Sequence, residues 1–209
     1  MKARKIRYAV VGLGHIAQTA VLPAFQHAKE NSELVALVSD DALKLKKLGA
    51  KYGIKILCEY RDYEKLLQTG MIDVVYICTP NTLHKVFATI AAENKVHILC
   101  EKPLATEVED ALAMIRAASK NKVKLMTAYR LHFDDANLEA VNVARSNRLG
   151  ELRVFNSVFT MQVKDPENIR LKQNLGGGTL YDIGIYCINA ARYLFGAEPI
   201  EVYATSVSG

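Results

Sequence analysis

Between residues 6 and 128 the chain alternates six times between a short apolar run and a segment whose apolar residues fall at helical spacing. Such alternation, repeated without a gap, restricts the fold to strand–helix units wound into an open parallel sheet with helices on both faces. The runs are residues 6–11, 33–38, 54–57, 73–78, 97–100 and 124–128. A first helix is expected over 15–29, broken or kinked by Pro23, which lacks a backbone donor. Asp41 caps the second helix, which ends at Tyr52 with Gly53 as its stop signal. A short helix over 62–68 ends near Gly70. Pro80 stops the fourth strand, and Asn81 or Thr82 caps a helix reaching Asn94. Thr106-x-x-Glu109 reads as a capping box for a helix to Lys120.

The pattern changes after residue 130. A helix over 134–146 leads to a turn at Gly150. Residues 151–163 partly alternate (Leu152, Val154, Asn156, Val158, Thr160, Gln162), which suits an antiparallel strand with two unlike faces. Residues 164–175 are polar and read as a loop that contributes to specificity. Gly176, Gly177 and Gly178 precede a long apolar helix over 179–195 closed by Gly196, and 199–206 reads as one more strand. The chain thus divides into an α/β domain, 1–128, and the start of an α+β domain, 129–209. Two strands with bare edges are a poor independent unit. This second segment is therefore expected to pack on the first domain or on partner chains, or to be a shortened version of a larger domain.

Ligands of open α/β sheets bind at the carboxyl ends of the strands. Here those ends carry Gly12-Leu13-Gly14-His15-Ile16-Ala17, Ser39-Asp40-Asp41, Thr79-Pro80-Asn81, Glu101-Lys102-Pro103 and Tyr129-Arg130-x-His132. The strand interiors are apolar, so polar or special residues gathered at these ends point to a ligand. G-x-G-x-x-A after the first strand is the dinucleotide fingerprint of a Rossmann-type doubly wound sheet. Gly12 allows the tight turn, Gly14 lets the backbone approach a pyrophosphate, and Ala17 lets the helix pack close. The helix N-terminus would hold the phosphate charge. The structural alternative is a glycine turn used for geometry alone.

Composition removes other classes. Net charge is +5, and the densest basic group, Lys44, Lys46, Lys47 and Lys51, falls at helical spacing as a solvated face, not a nucleic-acid patch. No run reaches the ~18 apolar residues of a membrane span. The basic start, Met1 to Lys5, leads into a strand without a small-residue cleavage site. Cys58, Cys78, Cys100 and Cys187 lack C-x-x-C spacing and read as free thiols of a cytoplasmic protein. Histidines and acids show no metal-ligand spacing, so no metal is expected.

Gly-Leu-Gly-His-Ile-Ala (12–17), Thr-Pro-Asn-x-x-His (79–84), Cys-Glu-Lys-Pro-Leu-Ala (100–105) and Gly-Gly-Gly-Thr-Leu-x-Asp-Ile-Gly-Ile-Tyr (176–186) resemble the glucose–fructose oxidoreductase / inositol dehydrogenase (Gfo/Idh/MocA) family. The resemblance runs over essentially the whole chain, with Glu-Lys-Pro and Asp-Ile-Gly-Ile-Tyr its most specific parts. It implies NAD(P)-dependent oxidation or reduction of sugars, polyols and related carbonyls, and homo-oligomers formed through an open C-terminal sheet. On this resemblance Lys102 holds the reacting oxygen and stabilises negative charge developing there. Glu101 orients Lys102 or the ribose, and Pro103 fixes the turn, with a preceding cis bond compatible with the pattern. Asp182 and Tyr186, four residues apart on one helix face, become the substrate binder and orienter and the acid/base. Tyr186 stands where many relatives carry histidine, as in the glucose–fructose oxidoreductase branch. A phenol of pKa about 10 needs a nearby cation to shuttle protons near neutrality, and Lys102 would supply it. Arg130 would bind a substrate or cofactor oxygen, while His132 either joins it or packs. His84 would line the nicotinamide site; His15 and Ile16 sit at the pyrophosphate turn, and Thr79, Pro80 and Asn81 in the cofactor cleft. His27 and His97 read as structural.

The end of the second strand bears on cofactor choice, because an acid there grips the ribose hydroxyls and repels a 2′-phosphate. The position is Ser39, whose hydroxyl can donate to a phosphate, with Lys44 one helical turn on, as in the NADP-using branch. This favours NADP. Asp40 and Asp41 keep NAD as second choice, Asp40 offering itself to the ribose. The expected function is hydride transfer between NADP and a sugar, polyol or related carbonyl. The rival is a dinucleotide-binding sensor or assembly subunit without turnover. Lys102, Asp182 and Tyr186 together favour the enzyme; the short second domain favours the rival.

Overall fold

The computed structural model describes residues 4–205; Met1 to Ala3 and the end of the last expected strand, Ser206, lie outside the described residues. Strands β1 (Ile6–Val11), β2 (Ser32–Val38), β3 (Ile56–Cys58), β4 (Val74–Ile77), β5 (His97–Glu101) and β6 (Leu125–Ala128) form one sheet. Its order is β3-β2-β1-β4-β5-β6, and every neighbouring pair is parallel. Both faces are covered near the centre, which is why the strands are continuous runs of Val, Ile, Leu and Ala.

Alternate side chains serve opposite layers. Ala9, Val11, Ala36, Val38, Val75, Ile77, Ile98 and Cys100 pack on helices α3 (Tyr63–Gln68), α4 (His84–Glu93) and α5 (Val108–Asn121). Val10 and Leu37 pack on helix α1 (residues 15–24) and helix α2 (Ala42–Tyr52). Ala88, Ala91 and Ala92 are fully buried in α4, where small side chains let the helix lie close to the sheet.

Two local signals of the second helix hold. Asp41 accepts a hydrogen bond from the Lys44 N–H at 2.9 Å, and Gly53 closes α2 at φ +71°. The expected cap at Asn81 or Thr82 does not form. A 3-10 turn, Asn81–Leu83, precedes α4, and the Asn81 amide instead donates to the Gly176 carbonyl at 2.8 Å. The Thr106/Glu109 box is absent too: α5 starts after Glu107 with no side-chain cap. The first helix is π-wound over Ala17–Val21 and ends in the turn Leu22–Ala24, short of Lys29. The widened turn immediately before Pro23 accommodates a ring that would otherwise meet the carbonyl one turn back.

After β6 the chain forms α6 (Asp135–Arg145), two 3-10 turns (Ile169–Leu171 and Gln173–Leu175), a π-wound turn (Leu180–Gly184) and α7 (Ile185–Phe195). Residues 151–163 and 199–205 form no strand, which corrects two expected strands and, among the described residues, the C-terminal sheet assigned to oligomer contacts. An extended run becomes a strand only when its N–H and C=O groups find a ladder partner. Neither run does so among the described residues, and Val158 and Val202 stay 88% and 80% exposed.

At the amino end of the sheet Asp73 ties β1 to β4. It accepts from the Arg7 main chain at 2.9 Å, from the Arg7 guanidinium at 2.8 and 3.0 Å, and from Arg4 at 2.6 Å. Hydrogen bonds from the Arg7 guanidinium hold its carboxyl well below the usual carboxylate range. A depressed folded pKa contributes stability above the unfolded value that is lost as pH falls. Urea-unfolding stability is therefore expected to drop as pH falls below about 4. Asp73→Asn should flatten that limb; an unchanged limb in the variant would assign the acid sensitivity to other carboxylates.

Candidate active site

The strand order reverses at β1, which pairs with β2 on one side and β4 on the other. A crevice opens at the carboxyl ends of strands at such a switch point. Gly12 turns the chain there at φ +89°, and a Cβ on it would stand 2.7 Å from the Cys78 carbonyl carbon and 2.8 Å from the Thr79 nitrogen. Its smallness serves the crossing of two backbones. Gly14 differs: among the described residues nothing lies within 4 Å of where its Cβ would be, so this glycine faces open space, flanked by exposed His15 and Ile16.

Thr79 is buried beside Gly12, and its Oγ1 has no hydrogen-bond partner among the described residues. Buried hydroxyls are ordinarily satisfied. An orphan hydroxyl and an open glycine at one switch point fit the oxygens of a dinucleotide. At the end of β2, Ser39 is buried and its Oγ accepts from the Asp41 N–H at 3.2 Å. Asp40 accepts from the Tyr60 N–H at 2.9 Å, and Lys44 pairs with Asp41 at 2.9 Å on the half-exposed rim. Both acids thus already have protein partners.

The chemical groups meet at the end of β5. Lys102 donates to the Asp182 carbonyl at 2.5 Å and to Asp182 Oδ1 at 3.1 Å, and lies 4.9 Å from the centre of the Tyr186 ring. An ammonium has three donors, so one remains for a ligand. The other Asp182 oxygen accepts from Arg170 Nε at 2.7 Å. Tyr186 also packs on Tyr129 and Phe159, ring centres 5.4 and 5.6 Å away. Glu101 accepts from the Tyr76 hydroxyl at 2.9 Å and from the Lys102 N–H at 3.3 Å; burial pushes its carboxyl above the usual range. The Lys102–Pro103 peptide is cis. Ile16, Glu101, Lys102, Arg130 and Tyr186 line one cavity of about 340 Å³ that continues under α1.

Other expected residues have different places. His84 is fully buried, with Nε2 3.1 Å from the Thr79 carbonyl and Nδ1 3.0 Å from that of Pro103. It stands between the two loops that shape the site, behind their backbone rather than at the exposed surface where a cofactor-lining residue is expected. Burial pushes its ring down, toward the neutral form. Pro80 and Asn81 are half-buried, and the Asn81 amide is taken by the Gly176 carbonyl at the start of the glycine run 176–178, the strap before Asp182. His132 stacks on Tyr129 and hydrogen-bonds the Tyr193 hydroxyl, which makes it a packing residue. His97 Nδ1 accepts from the Lys124 N–H, a structural role. Sequence reasoning missed Arg170 and Tyr76; their only signal was polarity beside a motif and at the end of an apolar strand.

A model of the oxidoreductase family with an NAD-binding Rossmann fold matches residues 6–129, and the GFO/IDH/MocA C-terminal domain model matches 137–208. The chain belongs to the Gfo/Idh/MocA family. Among Gfo/Idh/MocA relatives, a D-xylose 1-dehydrogenase [NADP(+)] of Haloarcula marismortui is 32% identical over 97% of this chain and 58% of that protein. The crystal structure of an aldose-aldose oxidoreductase from Caulobacter crescentus complexed with glycerol is 44% identical, with TM-score 0.85 over 94% of this chain and 59% of its own. A 3-ketoreductase from Actinomadura kijaniata, in complex with NADP and TDP-benzene, is 29% identical, with TM-score 0.84 over 91% of this chain and 57% of its own. The chain spans less than two thirds of the length of each.

His84→Leu would leave the buried loop carbonyl that accepts from the neutral ring without its donor, and would remove the ring wedged between the two loops. It is expected to lower urea-unfolding stability by about 2 kcal/mol. A loss within a few tenths would place the ring's packing, not its hydrogen bonds, in control.

Proposed function

We propose that this chain carries the active site of an NADP-dependent oxidoreductase acting on a CH–OH group, or the corresponding carbonyl, of a sugar or polyol. The observation that carries the reading is the largely buried Lys102, held by Asp182 and Tyr186 on the wall of the cavity. NADP, when bound, supplies or accepts the hydride. The open face of Gly14, with His15 and Ile16, receives the pyrophosphate. Thr79 Oγ1 offers its hydrogen bond within the cleft, and Ser39 and Lys44 receive the 2′-phosphate, Lys44 exchanging its contact with Asp41. Asp40, spent on the Tyr60 main chain, repels that phosphate less than a free acid would. The D-xylose 1-dehydrogenase [NADP(+)] relative and the 3-ketoreductase crystallised with NADP support this choice.

Lys102 turns its remaining N–H toward the substrate oxygen and stabilises charge growing there as hydride moves. Tyr186, with the ammonium against its ring, exchanges the proton of that oxygen. Asp182, both oxygens engaged by cations, orients Lys102. Glu101 and Arg130 complete the polar wall of the cavity. The same reading divides the chain at 1–128, which binds the cofactor, and 129–209, which closes the substrate side and joins subunits. Exposed Val158, Ile200, Val202 and Tyr203 support the latter. No helix among the described residues is long and apolar enough to cross a membrane, and the free thiols support a cytoplasmic setting.

Lys102→Ala and Tyr186→Phe are each expected to lower turnover with NADPH or NADP and a sugar panel by roughly 100-fold or more. NADPH affinity, read by fluorescence titration, should stay within about threefold, since neither change removes a charge–phosphate contact. Binding with no turnover in the native protein would instead support the sensor reading. In the same titration NADPH should bind at least about tenfold tighter than NADH, a margin of ~1.4 kcal/mol, and Lys44→Ala should erase most of it. Tighter NADH binding would reverse the cofactor assignment.

A further inference from the structure

Asp182 lies between two cations. Lys102 Nζ reaches its Oδ1 at 3.1 Å, and Arg170 Nε reaches its Oδ2 at 2.7 Å. We propose that Arg170 is a positioning residue that holds Asp182 so that Lys102 keeps a net positive charge for the substrate oxygen. This rests on the hydride-transfer reading above.

The charges decide the point. Lys102 and Asp182 alone sum to zero, so the carboxylate would cancel much of the field that the lysine should direct at a developing oxyanion. With Arg170 the cluster carries +1, and the carboxylate is drawn toward the guanidinium, away from Nζ. These side chains are only 14% (Lys102), 18% (Asp182) and 31% (Arg170) exposed, so solvent screens them incompletely.

Arg170 is also fixed from both sides. Its own N–H donates to Asn168 Oδ1 at 3.0 Å. Its carbonyl lies 2.7 Å from where a Cβ on Gly177 would stand, so only glycine there lets the strap run against the Arg170 backbone. The Gly177 N–H donates to the Lys172 carbonyl at 3.0 Å, closing the loop. The glycine run before Asp182 thus helps seat the arginine that faces it.

The test uses the full chain, with Arg170→Gln and Arg170→Lys checked for native circular dichroism. The first measurement is the rate of Lys102 acetylation by an N-hydroxysuccinimide ester, relative to exposed Lys46, by peptide mass spectrometry. Without Arg170 both Asp182 oxygens are free to close on Lys102 Nζ and shield it, so Arg170→Gln should slow Lys102 labelling by about threefold or more, and Arg170→Lys should recover it. Faster labelling would mean a loosened scaffold, and an unchanged rate would mean no electrostatic coupling; either result overturns the proposal. The second measurement is steady-state kinetics on a substrate that the unaltered chain turns over. There kcat should fall by about tenfold or more in Arg170→Gln while KM for NADPH stays unchanged. Recovery should appear in Arg170→Lys, and millimolar guanidinium should rescue part of the loss in Arg170→Ala. If the unaltered chain turns over no sugar or polyol, the functional reading fails, while the labelling rates still decide the role of Arg170.

Discussion

The contact between Lys102 and Asp182 joins residues eighty positions apart and brings the sheet to the helix that completes the site. Lys102 leaves the carboxyl end of β5, and Asp182 sits in the π-wound turn before α7. Bringing two charges out of water is costly, and an ion pair alone rarely compensates. Here the ammonium also has a main-chain carbonyl and an aromatic face, and the carboxylate has a second cation. Each charge is therefore met by several partners, and the lysine's position depends on how α7 docks. Two further contacts set that docking: the Asn81 amide on the Gly176 carbonyl, and the Tyr129–Tyr186 ring pair.

The sheet supplies the other half of the geometry. Parallel strands send all their carboxyl ends to one edge, so residues distant in the chain gather there without long loops. Gly12 lets β1 cross the exit of β4, Gly14 leaves the backbone open, and Thr79 keeps a buried hydroxyl without a partner among the described residues. Beneath them His84 holds the loops after β4 and β5 at a fixed spacing. Thr79 and Lys102 thus follow adjacent strands, β4 and β5, that pair in register from Val74 with His97 to Ile77 with Cys100. A shift of that register would move Lys102 relative to Thr79 by a strand residue, about 3.3 Å, more than a hydrogen bond tolerates.

The strand–helix alternation was legible because it depends on neighbours within a few residues. Burial on one face shows as spacing, and a cap such as Asp41 finds its donor three positions on. The same local reasoning misassigned Asn81 and Thr106-x-x-Glu109. The Asn81 amide meets Gly176 across ninety-five positions, a competitor invisible in a local window. It misassigned 151–163 for the opposite reason: alternation marks the capacity to pair, but pairing needs a second strand. His84 shows a further limit. Its position matched a family motif, yet ligand contact and buried hydrogen bonding to carbonyls leave the same residue in the same place.

By itself the sequence determined the order of elements as far as β6, the parallel sheet, the Gly12 turn and the clustering of polar residues at the strand ends. These follow from short-range sterics and from the periodicity of burial, both written in adjacent residues. Only the tertiary structure decided which of those polar residues meet. It spent His84 on the loops, divided Asp182 between Lys102 and Arg170, and held Tyr186 by its ring face against the lysine. The physical reason is that a charge or a buried donor takes the partner that packing brings within about 3 Å. For each of these groups that partner comes from a distant part of the chain or from a loop whose path has no local signature.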